Sequence, residues 1–297
     1  MAQVYLITGA STGFGALCAR DLAKEGHIVF AGMYSHDGNT SKYEEEAAAF
    51  ALEHNVDLRT VALDLLSQAS IDVAVKHVID ATGRIDTIVH NAGHMNYGPA
   101  ESFTAEQYLR LYDVNVVGSQ RLNMAALPHM RRARRGHLIW IGSSSTYGAN
   151  SPYLGAYFAA KAAQDSLAQS YAAELTAWGI ETTIVSPGVF TTGTNHFSDA
   201  LQPGRPEIAR EYEDGFTKGL GERTMAGTAA LVPPDADPKV VADALVELAR
   251  LPRGEKPFRM FPDPTMGGAH AAAAVVDCNK VNMYRRMGIM EYLKVRF

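Results

Sequence analysis

The chain has 297 residues, of which 47% are hydrophobic and 20% charged, and its net charge is −5. This composition predicts a soluble globular chain with a large core, and the acidic balance argues against a nucleic-acid partner. No apolar run reaches the ~18 residues of a membrane span, so we expect no membrane partner. The two cysteines, Cys18 and Cys278, suggest no disulfide framework. With a core strand beginning near Gln3 and no secretory leader before it, we expect a cytoplasmic protein.

The first predicted strand, residues 4–7, runs into a glycine-rich turn over residues 8–15. A helix follows and ends before Gly26. Units of this kind bind a pyrophosphate on the free N–H groups at the start of the helix. The spacing Gly-x-x-x-Gly-x-Gly differs from the G-x-G-x-x-G pattern, and an ordinary glycine-rich turn is the alternative.

The end of the second predicted strand bears on the choice of dinucleotide. An NAD site normally places Asp or Glu here to bind the ribose 2′-OH, but residues 31–36 read Ala-Gly-Met-Tyr-Ser-His. No carboxylate would repel a 2′-phosphate, and no arginine is present to bind one. The sequence therefore favours NADP(H) over NAD(H) by a narrow margin. Possible phosphate partners are Ser35, His36 and Lys42.

Strands and helices continue to alternate, with helices predicted over residues 43–54 and 68–81 and strands over 58–63 and 87–90. This alternation predicts an α/β fold, a doubly wound parallel sheet flanked by helices. Ligands of such sheets bind at the carboxyl ends of the strands. Asp64, directly after its strand, could accept from an adenine amine or could cap the next helix.

The tripeptide Asn91-Ala92-Gly93 ends the fourth predicted strand at the same edge. Its small residues would let a ribose lie close, and the Asn91 side chain can hydrogen-bond. By itself the tripeptide is also typical of a simple turn.

A long amphipathic helix is predicted over residues 104–132, with a possible break near Pro128. It carries Asn115, and asparagine is a weak helix former. In the middle of a helix such a side chain is either solvated, or it holds a water or distorts the backbone locally. The next strand, residues 138–141, brings Ser143, Ser144 and Ser145 to the same sheet edge.

Tyr157 and Lys161 lie four residues apart on the following predicted helix, so they share a face. A lysine close beneath a tyrosine favours the tyrosinate and lowers the tyrosine pKa, which makes Tyr157 a candidate acid/base. The alternative is that the two side chains are an ordinary pair on the surface of an amphipathic helix, without a catalytic role. A strand over residues 182–185 then leads to the turn Pro187-Gly188, with Thr192 shortly after.

From residue 193 to 235 the regular alternation is lost, which predicts a mobile lid or substrate loop. We take this loop as residues 189–235, within one domain of residues 1–262. A helix over 238–251 and a strand over 258–261 restore order. Residues 263–297 are predicted to form a helical C-terminal extension packed on that domain.

Together these motifs resemble the short-chain dehydrogenase/reductase family over about residues 3–262. The motifs that carry the resemblance are Thr8-Gly9-x3-Gly13-x-Gly15, Asp64, Asn91-Ala92-Gly93, Asn115, the serines at 143–145, Tyr157-x3-Lys161 and Pro187-Gly188. The resemblance implies a Rossmann-like sheet that binds NAD(H) or NADP(H). It also implies interconversion of an alcohol and a carbonyl on a small organic substrate by hydride transfer.

The resemblance also implies roles for particular residues. Tyr157 would be the acid/base, Lys161 would bind ribose hydroxyls and depress the tyrosine pKa, and Asn115 would anchor a water in the proton relay. A serine, Ser143 or Ser144, would hydrogen-bond the substrate oxygen. The residues expected to contact the dinucleotide are Gly9, Ser11, Thr12, Phe14, Gly15, Tyr34, Asp64, Asn91, Ala92, Gly93, Tyr157, Lys161, Pro187, Gly188 and Thr192.

Two ways of counting along the sequence disagree on which serine hydrogen-bonds the substrate oxygen. Position at the strand end favours Ser143, whereas the usual family interval of thirteen residues before Tyr157 favours Ser144. Ser145 has less to recommend it. We rank Ser143 first, because an extra residue is absorbed more easily in the loop that follows than in a strand.

The histidines and cysteines show no metal-ligand spacing, so no metal is expected. The alternative to an enzyme is a nucleotide-sensing or scaffolding protein that has the same fold but catalyses no reaction. The presence of Asn115, the serines, Tyr157 and Lys161 argues against it. Family resemblance suggests a homodimer or homotetramer.

Overall fold

The structure, a computed structural model, describes residues 2–34, 41–148 and 150–297. Seven strands form one parallel sheet in the order β3-β2-β1-β4-β5-β6-β7. The strands are β1 Val4–Ile7, β2 Ile28–Met33, β3 Leu58–Ala62, β4 Thr87–His90, β5 Gly136–Ile141, β6 Ile180–Val185 and β7 Arg259–Met260. The strand order reverses between β1 and β4, and the crevice at this reversal is where open α/β sheets bind ligands.

Helices cover both faces of this sheet. They are α1 Gly13–Lys24, α2 Ser41–His54, α3 Gln68–Thr82, α4 Ala105–Tyr112, α5 Gly118–Ala133, α6 Gly155–Glu174, α7 Pro206–Asp214, α8 Leu220–Ala230, α9 Lys239–Arg250 and α10 Ala269–Met287. Successive strand residues face opposite sides, so Leu6 joins the core with α3 and α5 while Ile7 joins the core with α1 and α9. The predicted doubly wound, Rossmann-like fold in a single domain is confirmed.

The long helix predicted over residues 104–132 is interrupted at a different point from the one expected. It breaks at a π-helical segment, Asp113–Val117, whereas Pro128 lies inside α5. The buried Asn115 amide donates to the His94 carbonyl (2.9 Å) and accepts from the His94 N–H (2.8 Å). These bonds hold the segment against the end of β4. Pro128 removes one helical bond, to the carbonyl of Met124, whose side chain is 60% exposed.

Residues 193–235 also differ from the prediction, because they contain α7 and α8 and are not one continuous loop. None of the α7 residues is buried, and Gly221 is the buried residue of α8 among those described. Ile208, Ala209 and Tyr212 recur at helical spacing in α7, but this short stripe among glycines and charged residues was not recognised as a helix.

The tail after residue 262 forms α10, and Ala269 and Ala273 of this helix are buried. Asp277 of α10 pairs with Arg259 of β7 (3.0 Å). Within the described part of the chain, no helix combines the length and apolar character that crossing a membrane requires.

Candidate active site

The glycine-rich turn between β1 and α1 has a conformation that requires glycine. Gly9 and Gly13 have φ of +64° and +54°. A β-carbon at Gly9 would lie 2.8 Å from the Ala92 Cα, and one at Gly15 only 2.3 Å from the Gly9 carbonyl oxygen. Thr12, the N-cap of α1, makes no side-chain capping bond to any described residue. The first N–H groups of the helix are therefore available to an anion, and the turn fits a pyrophosphate.

A cleft of about 320 Å³ lies over this turn at the carboxyl edge of the sheet. It brings together many of the residues predicted to contact the dinucleotide, namely Gly9, Ser11, Thr12, Phe14, Tyr34, Asp64, Asn91, Ala92 and Gly93. Gly15 lies beneath the turn, where its lack of a side chain allows the close packing described above. Ser35 and His36 lie outside the described residues.

Asp64 and Asn91 both support this cleft. Ser67, and not Asp64, caps α3 by accepting from the Ser70 N–H. One Asp64 carboxylate oxygen accepts from the Leu66 N–H (2.8 Å). The Asn91 side chain donates to the carbonyls of the glycine-rich turn, Thr8 (2.9 Å) and Gly9 (3.0 Å), so it fixes the shape of that turn.

A second cavity, of about 190 Å³, surrounds the Tyr157 side chain. We call it the Tyr157 cavity. The predicted residues that line it are Asn91, Ser143, Ser144, Tyr157, Lys161, Pro187 and Gly188, together with Ser145. Phe14, Asn91, Met95, Thr194 and His196 line both this cavity and the cleft, so the two spaces adjoin.

Lys161 is buried beneath Tyr157, with its ammonium 6.0 Å from the centre of the tyrosine ring. It donates to the Ile141 carbonyl (2.7 Å) and to the Gln164 side chain (3.1 Å). Burial lowers the pKa of Lys161 to about 8. Burial also raises the pKa of Tyr157 to about 12, and a hydrogen bond from Ser143 offsets part of that rise. The expected lowering of the tyrosine pKa by the lysine is therefore not seen: desolvation of the phenolate dominates, and Ser143 is the group that opposes it.

The three serines are held differently. The Ser143 hydroxyl hydrogen-bonds the Ser145 hydroxyl (2.8 Å) in addition to Tyr157. Ser144 begins a 3-10 helix and donates its N–H to the Pro187 carbonyl (3.0 Å). The bond to the tyrosine favours Ser143, as the strand-based count did.

Asn115 does not line either space, yet it lies beside both. A β-carbon at Gly93 would be 2.8 Å from the Asn115 side-chain oxygen and 3.8 Å from the Lys161 nitrogen. Asn115, Gly93 and Lys161 therefore meet at one point below the cleft.

Thr192 is the predicted residue that the structure does not bring to the site, since its side chain is exposed and lines neither space. Thr194 is the threonine that borders both, near Gly13. Because this loop has no periodic pattern, the sequence does not indicate which of the two threonines faces the site.

His196 is a site residue that sequence reasoning missed. Its ring centre lies 6.1 Å from that of Tyr157 and 6.5 Å from that of Phe14. Burial and the nearby Lys161 charge lower the pKa of His196 to about 4, so the ring is neutral at pH 7. The residue lies within the predicted substrate loop, but no pattern there singles it out. Tyr43, His94 and Arg110 also line the cleft without having been predicted.

A doubly wound sheet with this turn, a half-buried Tyr157 above a buried Lys161, and a serine beside them defines a dinucleotide-binding oxidoreductase. A family model described as short chain dehydrogenase matches residues 3–202. The chain belongs to the short-chain dehydrogenase/reductase family, whose members use NAD(H) or NADP(H).

Named relatives agree with this assignment. The 3-ketodihydrosphingosine reductase of Bacteroides thetaiotaomicron is 33% identical over 219 residues, which are 73% of this chain and 74% of that protein. A sorbitol dehydrogenase of Cereibacter sphaeroides is 35% identical over 184 residues, 62% of this chain and 69% of that protein. The crystal structure of a short-chain dehydrogenase from Streptomyces avermitilis superposes with a TM-score of 0.73 at 26% identity, covering 97% of both chains. The chain is an enzyme, which disfavours the nucleotide-sensing or scaffolding alternative.

Proposed function

We propose that this enzyme interconverts an alcohol and a carbonyl on a small organic substrate, with Tyr157 as the acid/base and NADP(H) as the preferred dinucleotide. The observation that carries the proposal is that the cleft over the glycine-rich turn adjoins the cavity that holds Tyr157, with five lining residues in common. When bound, the nicotinamide supplies or accepts the hydride. A substrate carbon in the Tyr157 cavity would lie next to it.

The protein's own residues manage the proton on the substrate oxygen. With a pKa of about 12, Tyr157 is protonated at neutral pH, which is the state needed to donate a proton to a carbonyl oxygen during reduction. Ser143 would donate a second hydrogen bond to the same oxygen. The Lys161 charge would stabilise the tyrosinate left behind, and Asn115, beside Lys161, would anchor a water that returns the proton.

The decisive variant is Tyr157→Phe, which removes the transferable proton and keeps the ring. We expect no measurable reduction of ketones or aldehydes, while a fluorescence titration still shows nucleotide binding. Tyr108→Phe, in a half-buried tyrosine that lines neither space, is the matched control and should keep its rate. Substantial turnover by the Tyr157 variant would contradict the mechanism. Nucleotide binding without turnover of any carbonyl compound by the wild type would favour the non-catalytic alternative.

The preference for NADP(H) is supported by the end of β2, where Tyr34 borders the cleft in the place of a carboxylate. Lys42 lies near the same region, with its nitrogen 6.0 Å from the centre of the Tyr43 ring. We expect a higher kcat/KM with NADPH than with NADH. Tyr34→Asp should reverse this preference, since a carboxylate repels the 2′-phosphate and binds the 2′-OH. An equal or higher kcat/KM with NADH in the wild type would overturn the proposal.

We further propose that the enzyme is a homodimer or homotetramer. Leu109 of α4 and Met124 of α5 are 69% and 60% exposed, and apolar side chains on neighbouring helices suit a subunit contact. Light scattering should give a mass of two or four chains, and Met124→Arg should lower it. A monomer in the wild type would contradict this part of the proposal.

A further inference from the structure

The inner wall of the Tyr157 cavity is apolar. Leu154, Phe158 and Phe197 pack in one cluster that also includes Met95 and the Tyr157 ring. On another side of the cavity, Phe14 and Phe190 meet edge to face with ring centres 5.4 Å apart. A substrate bound here would exchange water for hydrocarbon over much of its surface.

Among the described residues that line the cavity, Lys161 is the one cation. The other titratable side chains there are Tyr157 and His196, and the His196 ring is neutral at pH 7. The buried Lys161 ammonium donates to Ile141 and Gln164, and in the function proposed above its charge stabilises the tyrosinate. A carboxylate or phosphate in this cavity would lose its hydration and find no second cation to pair with, which is unfavourable.

The cavity opens between the end of α8 and the loop before α10, and large apolar side chains flank this opening. Leu231, directly after α8, lines the cavity and is 65% exposed. Met266 is 78% exposed and lies between Thr265 and Gly267, which both line the cavity. The Thr265 hydroxyl is already donated to Asp263 (2.5 Å). The rim therefore presents hydrocarbon where an extended substrate would leave.

The size of the cavity also indicates that a long substrate would extend over its rim. Its volume of about 190 Å³ lies below the ~300–1,000 Å³ usual for pockets that enclose a ligand. A substrate longer than a few carbons would therefore extend through the opening, over Leu231 and Met266.

From these observations, and given the function proposed above, we infer the substrate class: a neutral ketone or secondary alcohol with an apolar chain. Its oxygen is held by Tyr157 and Ser143, and its chain runs past Phe158 and leaves over Leu231 and Met266. Sugars and organic acids should be poor substrates, the first because of the apolar wall and the second because no cation besides Lys161 lines the cavity among the described residues.

Three kinds of probe test this class: 2-alkanones from four to ten carbons, fructose as a neutral polar ketone, and 2-oxooctanoate as a charged one. We expect kcat/KM to rise with chain length by up to about fourfold per methylene until the chain passes Met266. Fructose and 2-oxooctanoate should be at least about 100-fold poorer than 2-octanone, because each loses hydration without compensation.

Leu231→Arg places a cation at the exposed rim, where it should not disturb folding. It should flatten the dependence of kcat/KM on chain length, because the alkyl chain would meet a charged side chain where it leaves the cavity. Leu52→Arg, at an 85% exposed leucine of α2 that lines neither space, is the control and should behave as the wild type.

The outcomes separate the two proposals. Turnover of fructose or 2-oxooctanoate at the rate of 2-octanone, or no dependence on alkanone length, would overturn the substrate class and leave the proposed function standing. An unchanged profile in Leu231→Arg would overturn the route past this residue. No turnover of any carbonyl compound would overturn the proposed function itself.

Discussion

The dinucleotide cleft and the Tyr157 cavity share residues, yet the chain builds them differently. The cleft is formed mainly by backbone turns at the ends of neighbouring strands, whose shape is fixed by Gly9, Gly15 and Asn91. The cavity is lined largely by side chains, from segments between Phe14 and Gly267. Both depend on contacts between segments distant in sequence, but the cleft relies mainly on backbone conformation and the cavity mainly on side-chain packing.

The clearest of those distant contacts centres on Arg259, whose side chain is 4% exposed. It pairs with Asp165 of α6 (2.8 Å), one turn beyond Lys161, and with Asp277 of α10 (3.0 Å). It also donates to the Tyr147 hydroxyl, in the 3-10 helix that follows Ser143. The tail is thereby tied to both segments that supply Tyr157 and the serines.

If this comparison holds, Arg259→Met should have the largest effect on stability. It leaves the buried Asp165 carboxylate without its cation, and breaking a buried pair costs about 3–5 kcal/mol. Urea unfolding should show this loss. Arg250→Met, which breaks an exposed pair with Glu25, is the control and should shift the midpoint far less. Equal shifts in the two variants would mean that the buried Arg259 pairs stabilise the protein no more than an exposed pair does.

Ser143→Ala tests which serine of the Tyr157 cavity hydrogen-bonds the substrate oxygen. Loss of a hydrogen bond to a developing oxyanion costs ~10²–10³ in kcat, and we expect that loss with nucleotide affinity unchanged. Ser144→Ala is the natural control, because its backbone N–H bond to Pro187 survives the substitution. If Ser144→Ala loses kcat and Ser143→Ala keeps it, the thirteen-residue interval was the better guide.

The pKa of Lys161 gives a test of how completely the cavity floor is closed to water. Burial lowers this pKa from 10.5 to about 8, so the unfolded chain binds more protons between these values. The free energy of unfolding should then rise by up to ~3 kcal/mol from pH 8 to 10.5. Tyr157, whose pKa is raised from 10.0 to about 12, opposes this only above pH 10.

Urea unfolding at pH 7.5, 8.5 and 9.5 measures that rise. Lys161→Met should abolish it, whereas Lys76→Met, at an exposed lysine of α3, should retain it. Parallel pH profiles for the wild type and Lys161→Met would mean that water reaches the lysine.

The smallest expected effect is a loss of nucleotide affinity in the cleft. The methyl group of Gly15→Ala would lie 2.3 Å from the Gly9 carbonyl oxygen, which must move. Such overpacking costs ~1–3 kcal/mol, or roughly 5- to 150-fold in nucleotide affinity if the turn absorbs it. Gly227→Ala, on α8 with no described atom within 4 Å of the added carbon, should bind nucleotide normally. Normal binding by Gly15→Ala would mean that the turn is less tightly specified than the geometry implies.

The same contrast explains what the sequence could predict. The sheet follows from the alternation of strands and helices, and the structure brings the glycine-rich turn, Asn91 and the Tyr157–Lys161 pair to one edge of it. The helix break was expected near Pro128 but lies at Asn115, for which distortion of the backbone was one of the alternatives; the bonds to His94 that stabilise it could not be read from the helix itself. His196 and Thr194 were missed because an irregular segment has no period to fix their orientation. Arg259 was missed because its partners lie on other elements.

The late position of β7 and α10 in the chain has a consequence for the order in which the protein is completed. The edge of β6 stays open until residues 259–260 have been synthesised, and Arg259 lacks one of its two carboxylates until Asp277 follows. Because chains grow from the N-terminus, the strands around the dinucleotide cleft are synthesised before the residues that complete the ion pairs behind the Tyr157 helix. Only the full-length chain therefore gives Arg259 both of its carboxylates.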